Sequence, residues 1–298
     1  MGKWGAGALI LVVCGASQTL GALSVPGAAA GTEGRDTAIE KLDAVLAAQS
    51  DETKARYQYR HPKETLTFFG VKPGMTVVDT LPGPVWYSTI LSEYLGPEGR
   101  VIGVDYSLDM RTAIGGRYAT EEFQQERQDW PQRWVREQEA ERDENEAPFS
   151  AFFYGSLPEE MAGTADVVLM LRAAHGPNRT EEKGGFFTKA LEDVSRILKP
   201  GGVVGVVQHR APENNSDKWA NGQNGYLKQR QLIEFFENAG FELVESSEIN
   251  ANPNDHPTEE DSVWRLPPTL RGDDIELRAR MEAIGESDRM TLKFRKPE

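Results

Sequence analysis

Short runs of branched apolar residues alternate along this chain with longer stretches whose apolar positions recur every three or four residues. Thr76-Val77-Val78 is a run of the first kind, closed by Asp79. Its brevity and branching suit a parallel strand buried on both faces. Pro82-Gly83-Pro84 interrupts it, because proline cannot donate to a sheet ladder. Pro84 suits the first turn of a helix, where no N–H is needed. Ile90, Leu91 and Tyr94 then recur at helical spacing. Gly96-Pro97-Glu98-Gly99 ends that helix, and the run Arg100 to Val104 forms a second strand closed by Asp105. The pattern predicts a β-α-β unit with a ligand loop after its first strand and a ribose-binding acid, Asp105, at the end of its second.

The alternation continues downstream. Ser150 to Tyr154 predicts a third strand, followed by the turn Gly155-Ser156, and Ala165 to Leu171 a fourth. Phe186, Phe187, Ala190, Leu191, Val194 and Leu198 share one side of a helix, and Val203 to Val207 gives a fifth strand. Leu232, Phe235, Phe236 and Ala239 mark another helix, capped by Gly240. The stretches 241–249 and 290–294 alternate as two more strands. Strand and helix in turn predict a doubly wound, mostly parallel, seven-stranded Rossmann-like α/β sheet with an N-terminal helical extension. In that extension Asp36 serves as N-cap to a helix carrying Ile39, Leu42, Val45 and Leu46. The polar and aromatic stretch Ala55 to Pro62 is placed to fold over the mouth of a site, ahead of a short helix Glu64 to Phe69. Met110 to Ala147 is charged, with a weak apolar edge at Trp130, Trp134 and Val135, and reads as one or two solvated helices.

Composition narrows the function. The chain has 298 residues, no internal repeat and no clear second core, and its net charge of −14 argues against a nucleic-acid surface. Lys3, the apolar region from Ala8 to about Val25 and the small residues Ala28-Ala29-Ala30 have the order of a secretory signal peptide, residues 1–30, cut after Ala30. The expected location is therefore periplasmic or secreted, with residues 31–298 as one domain. The segment is too short and too interrupted to make a good membrane span. Cys14, the one cysteine, falls within it, so disulfides and thiolate chemistry are not expected after cleavage.

Open parallel sheets bind ligands at the carboxyl ends of their strands. Asp79, Asp105, Arg172, His175, His209 and Arg210 all follow predicted strands and are expected on one rim, with His61 reaching it from the N-terminal strap. His175 or His209 is expected to act as a general base, since an imidazole titrates near neutral pH. Arg172 and Arg210 are expected to hold an acidic substrate. No histidine spacing supports a metal site.

The order of these signals resembles the class I S-adenosylmethionine-dependent methyltransferases, and within them a family of secreted bacterial proteins predicted to be methyltransferases. Tyr59-Arg-His-Pro-Lys-Glu-Thr-Leu-Thr-Phe-Phe-Gly70, Leu198-Lys-Pro-Gly-Gly-Val203, Ser247-Glu-Ile-Asn-Ala-Asn-Pro253, Val263-Trp-Arg-Leu-Pro-Pro-Thr-Leu270 and Asp288-Arg-Met-Thr-Leu-Lys-Phe294 carry the resemblance. It implies S-adenosylmethionine as cofactor, held by Asp79, Gly83, Trp86, Tyr87, Asp105 and Ser156. It also implies methyl transfer to a small or envelope-associated molecule, with His209, His175, Arg172 and Arg210 at the reaction centre. Relatives have an aromatic-Pro-Gly-Gly-Gly-Trp-Tyr loop where this chain has Leu81-Pro82-Gly83-Pro84-Val85-Trp86-Tyr87. They have Arg-Asn-Val-His-Asn where it has Arg172-Ala-Ala-His175-Gly. A fold can outlive its activity, so the alternative is a non-catalytic periplasmic protein that binds a small molecule on the same framework.

Overall fold

The computed structural model describes residues 1–2 and 26–298. The signal peptide expected over 1–30 lies, but for its two ends, outside the described residues. Contacts divide the chain into a unit Met1–Thr37 and a unit Ala38–Glu298. The sheet and its cavities belong to the second.

Seven strands form one sheet: β1 Thr76–Thr80, β2 Arg100–Asp105, β3 Phe149–Phe153, β4 Ala165–Leu171, β5 Leu198–His209, β6 Glu242–Ser247 and β7 Arg289–Arg295. Their order is β3-β2-β1-β4-β5-β7-β6. The first five are parallel, while β7 runs antiparallel between β5 and β6. Val78 pairs with Ile102 of β2 on one side and Val168 of β4 on the other. The chain thus leaves β1 in one direction and returns beside it from the other, which opens a crevice beyond the ends of β1 and β4.

Strand side chains alternate between two cores. Val77, Val101, Val167 and Leu169 face one, covered by Leu66 and Phe69 of helix Pro62–Phe69 and by Ile90, Leu91 and Tyr94 of helix Trp86–Leu95. Val78, Ile102, Val168 and Met170 face the other, covered by Phe187, Leu191 and Val194 of helix Phe186–Ile197. Two strand glycines let the layers close. A Cβ on Gly103 would meet the Trp134 ring at 2.8 Å, and one on Gly205 the Phe69 ring at 2.5 Å. Each buried aliphatic or aromatic side chain contributes about 1.5–3 kcal/mol, so these faces dominate the stability of the fold.

Two expectations are corrected and one helix is added. Asp36 is not an N-cap: it lies inside helix Pro26–Ala48, since a proline is tolerated at a helix start and alanines 28–30 are strong helix formers. The charged stretch after β2 is more than a wet face, because Trp130 and Trp134 of helix Trp130–Glu141 are buried against the sheet. Helix Ile275–Ile284 was not expected, and its exposed Ile275 and Leu277 explain why no apolar stripe marks it. Among the described residues no helix is long and apolar enough to cross a membrane.

Candidate functional site

The loop after β1 is built from unusual backbone. Leu81, Gly83 and Val85 all have φ near +55°, a region that costs a branched residue most. Val85 donates its N–H to the Pro82 carbonyl at 2.9 Å, closing a tight turn. Helix Trp86–Leu95 starts only after it, with Val85 as N-cap. Pro84 therefore stands ahead of the helix, correcting the expectation that it occupies the first turn. After β4 the chain does something similar. Arg172 has φ +60°, at a cost of about 1 kcal/mol for an L-residue. Non-glycine residues held this way gather at functional sites, and here they flank one crevice.

That crevice is a cavity of about 430 Å³, lined by Asp79, Gly83, Trp86 and Tyr87 from the β1 side, by Arg172 and His175 from the β4 side, and by His209 at the end of β5. Arg60, Glu286, Arg289 and Trp264 complete its walls. Asp79 is 3% exposed and accepts a 2.6 Å bond from Ser88 Oγ. Burial raises its carboxyl to about 6, against the pull of Ser88 and Arg172. Burial pushes the Tyr87 phenol up to about 12. Trp86 is fixed from three sides: the Arg60 guanidinium lies 4.7 Å over its ring, its Nε1 donates to the Thr53 carbonyl at 3.3 Å, and Tyr57 packs edge-on.

Glu286 is the anionic hub of the wall. It accepts from Arg56 Nη1 at 2.9 Å, from Arg60 Nε at 3.2 Å and from Arg289 Nη2. Burial alone would raise its carboxyl, but Arg289, Arg60 and Arg172 outweigh it and hold it down to about 2. Arg172 is different. Its N–H donates to the Val207 carbonyl at 2.6 Å, but among the described residues no hydrogen bond or ion pair reaches its guanidinium. Burial, reinforced by Arg60 and Arg289, lowers that guanidinium to about 9.

The two imidazoles face each other with ring centres 5.7 Å apart. His209 Nδ1 is bound to Ser287 Oγ at 2.5 Å, which leaves Nε2 as its remaining nitrogen. His175 Nδ1 is buried without a partner. Burial, then the Arg179 charge, lowers His175 to about 4. Burial and then Arg289, His175 and Arg172 take His209 well below its ordinary value. Both rings are neutral at pH 7 and can accept a proton.

The structure brings together Asp79, Gly83, Trp86, Tyr87, Arg172, His175 and His209, and it leaves four expected residues elsewhere. Asp105 is buried at the end of β2, with Oδ1 bound to Arg111 and Oδ2 to Arg127. Its own oxygens are thus engaged where a ribose was expected. Arg210 does not line the cavity: it pairs with Asp288 at 2.8 Å and Glu248 at 2.6 Å in a separate surface groove of about 910 Å³. Those bonds hold its guanidinium above the usual range. Ser156 lines another hollow of about 440 Å³ and donates to the Phe153 carbonyl at 2.7 Å. His61 also misses the cavity, sitting at a left-handed helix junction with φ 40°. Sequence reasoning missed Arg60, Glu286, Arg289 and Trp264. Arg289 carried the one usable signal, a charge directly ahead of an apolar alternating run. Among the described residues no three His, Cys, Asp or Glu side chains gather to hold a metal ion.

No protein-family model matches the chain, and no curated protein matches it. Several solved structures are similar to it. A chain of the complex between the Haloferax volcanii Trm112 methyltransferase activator and a methyltransferase is 21% identical, covering 87% of this chain and 98% of that one, with a TM-score of 0.47. The [4+2]-cyclase SpnF is 16% identical over 80% of each chain, with a TM-score of 0.48. Geranyl diphosphate C-methyltransferase from Streptomyces coelicolor A3(2) is 14% identical over 81% of each, with a TM-score of 0.47. At these values the likeness is one of strand arrangement alone.

Proposed function

We propose that the chain binds S-adenosylmethionine in the crevice beyond β1 and β4 and transfers its methyl group to a small or envelope-associated molecule held beside His175 and His209. The observation that carries this reading is the pairing of a carboxylate with aromatic faces at one opening: Asp79 stands with Trp86 and Tyr87 along the same wall. A carboxylate suits the ammonium of an amino-acid end, and aromatic faces attract a cation such as a sulfonium. The ligand has no phosphate, so a loop with Pro82 and Pro84 in place of a run of free N–H groups costs it little. The free end of Arg60, beside Trp86, suits the carboxylate of the same amino-acid group.

When bound, the cofactor supplies an electrophilic methyl group. The rest falls to this chain's side chains. An acceptor hydroxyl oxygen that takes a methyl group becomes a strongly acidic oxonium, so it gives its proton even to an imidazole of about 4 such as His175. His209, oriented by Ser287, is the better-positioned acceptor of the two.

The adenosine end fits less well. Asp105 can accept ribose hydroxyls only if Arg111 and Arg127 let go of it. That observation favours a second reading, binding of a small molecule without methyl transfer. Calorimetric titration of the full chain with S-adenosylmethionine and S-adenosylhomocysteine separates the two. Micromolar binding that is lost in Asp79→Asn supports methyl transfer. A folded protein that binds neither compound rejects it and leaves the second reading.

A further inference from the structure

The cavity wall carries more positive than negative charge. Arg60, Arg172 and Arg289 face Glu286 and Asp79, three guanidiniums against two carboxylates. Glu286 is already committed to Arg60 and Arg289. Asp79 accepts from the neutral Ser88 and feels the Arg172 charge without forming an ion pair with it. The surplus therefore falls on Arg172, whose half-buried guanidinium makes no hydrogen bond or ion pair among the described residues, although Glu286 and Asp79 act on it through space. An arginine kept out of bulk water normally finds a carboxylate. Here the backbone holds it in place instead, at φ +60° and with its N–H tied to β5.

We propose that Arg172 is the anchor for an anionic group, a carboxylate or a phosphate, on the small molecule this cavity takes. On the methyl-transfer reading, that molecule is the acceptor. A planar fork of donors matches either anion in bidentate fashion. The anchor also selects among ligands, because an apolar neutral molecule in the same place would leave the guanidinium donors without an acceptor. Sequence alone pointed to Arg172 and Arg210 together, but Arg210 is saturated by Asp288 and Glu248 and faces another groove.

The test uses the full chain in buffer free of phosphate and carboxylates, titrated calorimetrically with inorganic phosphate and with malonate. Wild-type protein should bind at least one of them. Arg172→Asn, a residue that tolerates positive φ, should weaken that binding tenfold or more, and Arg172→Lys should keep part of it. Arg172→Gly serves as the second uncharged variant should Asn fail to fold, and thermal melts report folding throughout. Absence of anion binding by the wild type, or unchanged affinity in both uncharged variants, overturns the proposal. Titration with S-adenosylmethionine separates the sources. If either anion competes with it and Arg172→Asn abolishes its binding, the anchor belongs to the cofactor's carboxylate, and the acceptor assignment is overturned. If anions bind through Arg172 while S-adenosylmethionine does not bind at all, the anchor stands and the methyl-transfer reading falls.

Discussion

The Arg172 N–H donates to the Val207 carbonyl at 2.6 Å while Arg172 itself turns to φ +60°. The last rung between β4 and β5 thus fixes the backbone of a residue that has already left the strand. Its side chain is delivered to the cavity by the sheet rather than by a loop, which is how a site gains precision.

A residue held this way should limit stability. Arg172→Gly removes the left-handed strain of an L-residue at φ +60°, so the fold should gain about 1 kcal/mol. Urea unfolding reads this directly. A loss of stability would show that Arg172 makes native contacts beyond those described.

Breaking the Glu286 hub should do the reverse. Glu286→Gln leaves Arg60 and Arg289 buried without their carboxylate, a loss on the order of 3–5 kcal/mol. The wild type should show the same dependence in acid. The folded carboxyl is held at about 2, below its unfolded value, so its contribution is complete above roughly pH 4.5 and disappears as pH falls towards 2. In Glu286→Gln the acid limb of the stability curve should flatten over that window.

Asp79 has the opposite sign. Its folded carboxyl is raised to about 6, so its stabilising effect is complete below pH 4 and disappears as pH rises through 6. Asp79→Asn should therefore stabilise the ligand-free protein above pH 6, by up to about 3 kcal/mol, while removing S-adenosylmethionine binding. Parallel unfolding curves for the two proteins from pH 4 to 8 would contradict this.

The Arg111–Asp105–Arg127 contact predicts a gain of binding. If Asp105 serves a ribose at all, it must first shed one guanidinium, so Arg127→Ala should tighten S-adenosylmethionine binding several-fold. Affinity that is unchanged in Arg127→Ala would make Asp105 purely an anchor for the segment 108–128.

Much of the sheet was legible because its central strands are buried on both faces and say so. Val77-Val78, Val101 to Val104 and Val167 to Leu171 are continuous apolar runs. The direction of β7 was not legible, since Met290 to Phe294 alternates identically whichever way the strand runs. About half of the site was legible, namely the residues that follow β1, β4 and β5 in sequence. Asp105 and Arg210 stand outside the cavity for one reason. Position at a strand end can be read locally, but ion-pair partners cannot: Glu248 and Asp288 lie 38 and 78 residues from Arg210. Arg111 and Arg127 were hidden in a run whose charges looked generic.

One carboxylate gathers side chains from both ends of the described domain. Arg56 and Arg60 reach Glu286 across 230 and 226 residues, and Arg289 joins them from the last strand. One wall of the cavity therefore does not exist until synthesis has passed residue 289. A nascent chain can assemble β1 to β5 and their helices and still present only an open trough. Ligand competence should arrive late and all at once, so a chain still emerging from the ribosome is inert towards whatever small molecule surrounds it.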